Sequence, residues 1–222
     1  MFSKAAELGY KQVAAQLTPV TKPEEIARLR TTCSELSLDF VSRVDLRPRS
    51  PDELLVNLRK LRRKFELIGV LCETKEVSRQ AARDHRVDLL NFPSLDYRRR
   101  FFDRAEAELA SNSGAGFEVD MKPVLILEGP ARIRFLNCLR REVALASEFA
   151  LPIVISSGVS QPILMRKPRE MALLALLFGL KGDLALDSIS TNPIELIARN
   201  RKKLEAGFVA PGIHAIKQGD DC

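Results

Sequence analysis

The chain has 222 residues, 45% hydrophobic and 29% charged, and its 35 Lys and Arg against 29 Asp and Glu leave a net charge of +6 and a pI near 9.3. That is the composition of a soluble globular protein with room for one large domain, and no apolar run reaches the roughly 18 residues of a membrane helix. Arg outnumbers Lys 23 to 12, which points toward an anionic partner, because a guanidinium grips phosphate bidentately where an ammonium is a point charge.

Taken in order, residues 1–8 read as the end of a helix that Gly9 closes, followed by a strand over 12–17. Residues 18–23 form a turn, and Pro23, Glu24 and Glu25 open a helix running to about residue 36. A strand over 39–46 leads into the loop 47–52. The helix 53–64 then places Leu54, Leu58, Leu61 and Phe65 on one face. Residues 65–93 show the repeating unit most clearly: an apolar run at 67–72, an amphipathic helix at 75–85 and a second apolar run at 87–92, the pattern of parallel strands covered on both faces.

A long helix is expected over 95–110, starting with Arg98, Arg99 and Arg100, and a polar glycine-containing stop follows at 111–116. A strand begins at 117–121; either Lys122-Pro123 ends it or it continues through 124–127. The helix 131–149 has Phe135, Leu139, Val143 and Ala146 inside and Arg132, Arg140 and Arg141 outside. Residues 152–155 are a short strand that runs into Ser156-Ser157-Gly158. After Lys167-Pro168 comes a helix over 169–180, and residues 184–189 fit either a last short strand or a helical turn. Asn192-Pro193 begins a final helix ending in Arg199, Arg201, Lys202 and Lys203. Residues 207–222 read as a polar tail, leaving 1–206 as a single domain.

Counting 184–189, the chain has seven strands, about 20 to 35 residues apart and each followed by a helix, which suits an α/β, TIM-barrel-like repeat that lacks the usual first strand. The alternative, a doubly wound open sheet, would be expected to show Gly-x-Gly-x-x-Gly after its first strand, and none is present.

Only two histidines occur, His85 and His214, and neither has a partner at metal-ligand spacing. Cys33, Cys72, Cys138 and Cys222 show no paired spacing, which signals neither zinc nor a disulfide framework and suits reduced thiols in a cytoplasmic protein. Asp45, Glu73, Asp120 and Asp187 lie at strand ends, where a barrel places its chemistry, but Arg43 and Arg47 stand close by as ion-pair partners. Ser156, Ser157 and Gly158 fit either a phosphate-binding loop or a tight turn. Arg166, Lys167 and Arg169, just before a helix amino terminus, favour an anion there.

The succession Arg79-Gln-Ala-Ala-Arg-Asp-His-Arg-Val-Asp-Leu-Leu-Asn-Phe-Pro93, Ile155-Ser-Ser-Gly158, Arg166-Lys-Pro-Arg169, Leu-Leu-Phe-Gly179, Ser188-Ile-Ser190, Pro193 and Asn200-Arg201 resembles archaeal ribonuclease P protein component three, the homologue of the thirty-kilodalton subunit of the eukaryotic enzyme. The resemblance spans nearly the whole chain. It implies a TIM-barrel-like protein that is not itself the catalyst. In that family the RNA subunit cleaves the 5′ leader from precursor tRNA with magnesium, so the chain itself is expected to bind no cofactor. The implied partners are ribonuclease P RNA, an RRM-like component-two protein and other ribonuclease P proteins, with precursor tRNA contacted indirectly.

Carried over by motif, the RNA-facing residues would be Arg79, Arg132, Arg166 and Arg169. Charge and position add Arg98, Arg99, Arg100 and Lys122, and the anion-loop reading adds Ser156, Ser157, Gly158 and Lys167. Two departures stand out. The family's first strand precedes the helix near Met1, so either a barrel stave is missing or the reading frame begins upstream. Residues 181–187 carry Asp where a basic or neutral residue is expected. The rival readings are a metal-dependent phosphoesterase of the polymerase-and-histidinol-phosphatase type, whose His-x-His is absent here, and a barrel enzyme taking a small phosphorylated substrate at 156–158.

Overall fold

The structure, a computed structural model, describes residues 1–205, 207–210 and 213–214. Among these, β1 (Gln12–Leu17), β2 (Asp39–Leu46), β3 (Leu67–Leu71), β4 (Leu89–Asn91), β5 (Gly116–Asp120) and β6 (Ile153–Ser156) form one all-parallel sheet in the order β1-β2-β3-β4-β5-β6. Spatial order follows sequence order without a switch point, so the sheet winds in one direction as a barrel does rather than doubly. The result is a curled half-barrel, an incomplete TIM-barrel-like fold.

Six helices cover its outer face: α1 (Phe2–Glu7), α2 (Pro23–Glu35), α3 (Pro51–Leu61), α4 (Lys75–Arg83), α5 (Arg104–Ser113) and, after the short α6 (Lys122–Ile126), the long α7 (Gly129–Glu148). Local chemistry sets where they start. Ser50 and Thr74 side chains accept from the Glu53 and Val77 amides, and Asp103 and Glu106 form a reciprocal capping box at α5. The apolar stripes pack into one core: Leu54, Leu58 and Leu61 of α3, Ala107 and Ala110 of α5, and Phe135, Leu139 and Val143 of α7 meet Val44, Ile68, Leu90, Phe117 and Ile155 of the sheet. Phe102 stacks within that core against Phe117 and Phe92, with ring centroids 4.6 and 5.4 Å away. A smaller cluster joins α1 and α2 to the first strands through Ala5, Cys33, Leu38 and Phe40.

The inner face of the sheet is layered. Near the amino ends of the strands it is apolar and is sealed by α10 (Thr191–Leu204), whose Ile197 packs on Val41 and Leu67 and whose Leu196 packs on Leu89 and Val154. The following turn of α10 locks onto strand starts. Arg201 binds Asp39 at 2.8 and 2.9 Å and Glu66 at 2.7 Å, Arg199 reaches the Gly114 carbonyl at 2.7 Å, and Asn200 donates to the Glu66 carbonyl at 2.9 Å. Two members of the expected basic cluster at the end of this helix are therefore internal ties.

Two expectations change, and two alternatives left open are decided. Residues 184–189 are not a seventh strand: α9 (Asp183–Asp187), a short helix, follows α8 (Pro168–Ala175). The β6 edge is instead met by the Ser188 carbonyl, which accepts from the Ile155 amide at 2.9 Å, and by the Asn192 side chain, which donates to the Ile153 carbonyl at 2.8 Å. The helix expected over 95–110 begins only at Arg104, after a 3-10 turn over Tyr97–Arg99. Asp96 caps that turn by accepting from the Arg98 amide, and Arg100 turns inward, so the chain cannot run on as one helix. Beyond β5, residues 122–126 are helical, not extended. Within the expected polar tail, β7 (Phe208–Ala210) and β8 (Ile213–His214) pair antiparallel, and residues 211–212 and 215–222 lie outside the described residues.

Gly69 in β3 faces the inside of the curl, where a β-carbon would come 2.4 Å from Asp45 Oδ1 and 3.2 Å from Arg43 Nη2. Gly69→Ala should therefore destabilise the fold by about 1–3 kcal/mol through overpacking, measured as a lower urea midpoint; an unchanged midpoint would mean that Arg43 and Asp45 have room to move.

Candidate nucleic-acid interface

Toward the carboxyl ends of the strands, the inner face becomes polar. Arg43 on β2 crosses the curl to hold both carboxylate oxygens of Glu118 on β5 at 2.5 and 2.6 Å, and its Nε donates to Asp45 at 2.8 Å. Asn91 on β4 donates to Glu118 at 3.0 Å and to Asp120 at 3.1 Å, and Ser156 on β6 donates to Asp120 at 2.6 Å. Burial works against the Arg43 charge, but the two carboxylates outweigh it and raise its pKa. Burial likewise opposes the Glu118 charge, and Arg43 overcomes it and pulls the pKa down. Asp45 and Asp120 stay raised, by burial first.

This is where a barrel would do chemistry, and the structure brings two of the four sequence candidates there, Asp45 and Asp120. Glu73 instead pairs with Arg47 at 3.4 Å, and Asp187 accepts from Thr191. Glu118 and Asn91 escaped the sequence reading, although their alternation with buried Phe117 and Leu90 marks them as facing inward. The three converging acids are already engaged by Arg43, Asn91 and Ser156, and among the described residues no group of three or more His, Cys, Asp or Glu side chains is arranged to hold a metal ion. The His85 imidazole does not help: its Nδ1 lies 3.0 Å from the Ser113 carbonyl at the end of α5. This acid set does not fit a resident magnesium.

The residues singled out for RNA divide into three groups. Some are internal. Arg100 is buried, holding Glu142 at 2.5 and 2.7 Å and the Phe92 and Ser94 carbonyls. Arg79, half-buried, binds Glu106 at 2.7 Å and Asp103 at 3.0 Å. Ser156 serves Asp120, and Gly158, at φ +58°, lies against the same carboxylate, so that a β-carbon there would meet it at 2.9 Å. An acid thus occupies the neighbourhood where the loop reading placed a phosphate; Ser157 is half-buried beside it.

A second group sits on the segment before α8. Arg166 turns back onto the Ile163 and Met165 carbonyls, and its own carbonyl accepts from Tyr10, which ties the exit of the last strand to the first. Lys167 and Arg169 are exposed, though Glu170, accepting from the Lys167 amide, adds a negative charge among them. The third group is the freest. Arg98 lies over the Tyr97 ring, 5.5 Å from its centroid, and Arg99 is exposed. Lys122 and Arg132 are half-buried and have no ion pair among the described residues. Arg134 and Arg141 also lack one and line the hollows between this turn and α7. Sequence reading missed Arg134 and Tyr97, because helix periodicity marks a residue as outward but not what faces it.

Residues 1–205 match the family model described as RNase P subunit p30. The chain belongs to the RNase P subunit p30 family. It is 32% identical over 178 residues to ribonuclease P protein component 3 of Methanosarcina acetivorans, covering 80% of this chain and 73% of the relative. Against the component 3 of Methanosarcina barkeri, identity is 29% over 216 residues, 97% of this chain and 88% of the relative. A chain in the cryo-EM structure of archaeal ribonuclease P with mature tRNA shares the fold at a TM-score of 0.84 and 23% identity, covering 97% of this chain and 93% of that one.

Two predictions follow from the charges inside this p30-family chain. Truncating one partner of the buried pair, by Glu118→Ala, should cost about 3–5 kcal/mol of stability, because Arg43 loses its bidentate partner without being re-solvated; a denaturation midpoint near wild type would show that water reaches it. Glu106 is pushed up to about 7, by burial first and then by Asp103, against the pull of Arg79. The folded state then binds more protons than the unfolded one between the ordinary glutamate range and pH 7, so this group makes stability fall as pH rises through that window. Melting temperature should decline across it in the wild type and less steeply in Glu106→Gln.

Proposed function

We propose that this chain acts as the p30-type protein subunit of ribonuclease P, supporting the RNA that removes the 5′ leader of precursor tRNA. Family membership over residues 1–205 carries this reading. The chain itself is not the catalyst: the carboxylates at the barrel mouth neutralise Arg43 and brace the strands, and no imidazole stands among them. In this reading magnesium belongs to the RNA, where it supplies the Lewis acid for phosphodiester hydrolysis. The chain's part is electrostatic and architectural. Free cations on its outer surface hold RNA phosphates, and an RRM-like protein, component two, docks beside them in a cytoplasmic particle.

The rival phosphoesterase reading has nothing in the structure to favour it, since its metal ligands would have to displace Arg43 from Glu118 and Asp45. Likewise, a small phosphorylated substrate at residues 156–158 would meet the Asp120 carboxylate that Ser156 and Gly158 already contact.

The reading is tested by purifying the tagged chain from its native cells: ribonuclease P RNA should come with it, and precursor-tRNA cleavage should be recovered in the eluate. Recovery of phosphatase activity without RNA would refute it. Within the reconstituted particle, Lys167→Ala with Arg169→Ala should lower the slope of log K against log salt for RNA association by roughly one to two units. Folding should be unaffected, since exposed cations contribute within about 0.5 kcal/mol. Arg166→Ala is a poorer probe, because its guanidinium shapes the loop. A double variant with wild-type salt dependence would remove this segment from the RNA interface.

A further inference from the structure

The turn before α5 and the outer side of α7 enclose two adjoining hollows, of 490 and 600 Å³, that share Tyr97, Cys138 and Arg141. Each lies within the range of about 300–1,000 Å³ usual for small-ligand sites. Arg100, Arg104, Arg134 and Arg141 line them together with Asp96, Asp103, Glu142 and Glu148, so what matters is which of these charges are already paired. Arg134 and Arg141 lie on the same strip of α7 as Ala131 and Cys138, at helical spacing, and among the described residues neither has an ion-pair partner. Arg98 and Arg99 flank them on the turn. Of the four acids present, Glu142 is held by Arg100, Glu148 pairs with Arg104, Asp103 pairs with Arg79, and Asp96 accepts from the Arg98 amide. Arg132 falls on a different side of the helix and does not belong to this set.

Tyr97, on the ridge between the hollows, is 54% exposed and Leu95 beside it is 51% exposed. Arg98 lies over the ring and donates to its hydroxyl at 3.0 Å. A large aromatic ring held in place at the surface, beside guanidinium groups that have no ion pair among the described residues, is the arrangement that binds single strands: bases stack on the ring while the cations follow the backbone. A duplex keeps its bases stacked on one another and would leave the ring unused.

Resting on the subunit reading above, we infer that this groove takes an unpaired segment of RNA, one base stacked on Tyr97 and the adjoining phosphates on Arg134 and Arg141. The groove thus adds recognition of single-stranded structure to whatever duplex contacts the subunit makes elsewhere.

The test uses the full chain, a fluorescein-labelled twelve-residue oligouridylate and, separately, a twelve-base-pair RNA duplex, read by anisotropy at low salt. Tyr97→Leu should weaken binding of the single strand about tenfold and leave duplex binding unchanged, while Tyr97→Phe, which keeps the ring, should match wild type. Arg134→Gln with Arg141→Gln should weaken the single strand and lower its salt slope by about one to two units. The proposal is overturned if wild type fails to bind the oligonucleotide, if Tyr97→Leu binds it as wild type does, or if an octaglutamate peptide displaces it equally well from wild type and Tyr97→Leu, which would mark a surface for an acidic protein. Any of these results, with ribonuclease P RNA still co-purifying with the wild-type chain, removes the groove and leaves the subunit reading intact. Loss of co-purification removes the subunit reading itself.

Discussion

The contact between Arg43 and Glu118 constrains the rest of the molecule. β2 and β5 are three strands apart, about 14 Å along a flat sheet, so a bidentate contact between their side chains requires a curled sheet. The curl in turn requires Gly69 on the intervening strand, where any side chain would collide with Arg43 and Asp45. Removing such charges from water costs several kcal/mol per ion, and only full hydrogen bonding offsets it. Asn91 completes that bonding with a second donor to Glu118 Oε2 and one to Asp120 Oδ2, and Ser156 donates to Asp120 Oδ1. The interior is thereby filled by the protein's own groups at the place where a barrel enzyme keeps its substrate site. At this end of the strands the structure shows a brace of ion pairs and hydrogen bonds between β2, β4, β5 and β6.

Closure at the other end uses different physics. The amino ends of the strands meet α10, which seals the inner face with Leu196 and Ile197 and then ties itself to Asp39, Glu66 and Asp88 through Arg199 and Arg201. Arg62 enters the same network from α3, binding Asp88 and the Phe65 and Glu66 carbonyls. A helix thus substitutes for further staves, and the exposed edge of β6 is blunted by Ser188 and Asn192 rather than by another strand. Among the described residues, the sheet has six strands and needs no seventh to bury this face.

This allocation of charge decides which arginines face outward. Arg43, Arg62, Arg100 and Arg201 complete internal networks, and Arg79 caps two acids beside α5. Among the described residues, Arg98, Arg99, Arg134, Arg141 and Arg169 form no ion pair. The net charge of +6 therefore understates how basic particular surfaces are, since internal pairs cancel in the total while exposed cations remain clustered near α7 and the start of α8.

Local pattern alone was enough to place the six strands and most of the helices. Apolar runs bounded by Gly, Pro and capping residues depend on neighbours within a few positions, and the burial of Ile68, Val70, Leu90 and Phe117 followed them. The order of short motifs from Arg79 to Arg201 also sufficed to indicate the family. The helix start at Arg104 was legible in the Asp103 and Glu106 capping pair, which the expectation of one helix over 95–110 passed over. What the chain could not disclose locally was the fate of its charges and of its ambiguous segment. Glu118 and Arg43 are 75 residues apart, and nothing near either one announces the other; which strands adjoin, and how sharply the sheet curls, makes them partners. Residues 184–189 were equally balanced between strand and helix until the edge of β6 found its hydrogen bonds in Ser188 and Asn192. Periodicity records which side of an element is buried, because burial repeats with the geometry of the backbone. Ion pairing and edge pairing repeat with nothing in the sequence, so only the tertiary arrangement could decide them.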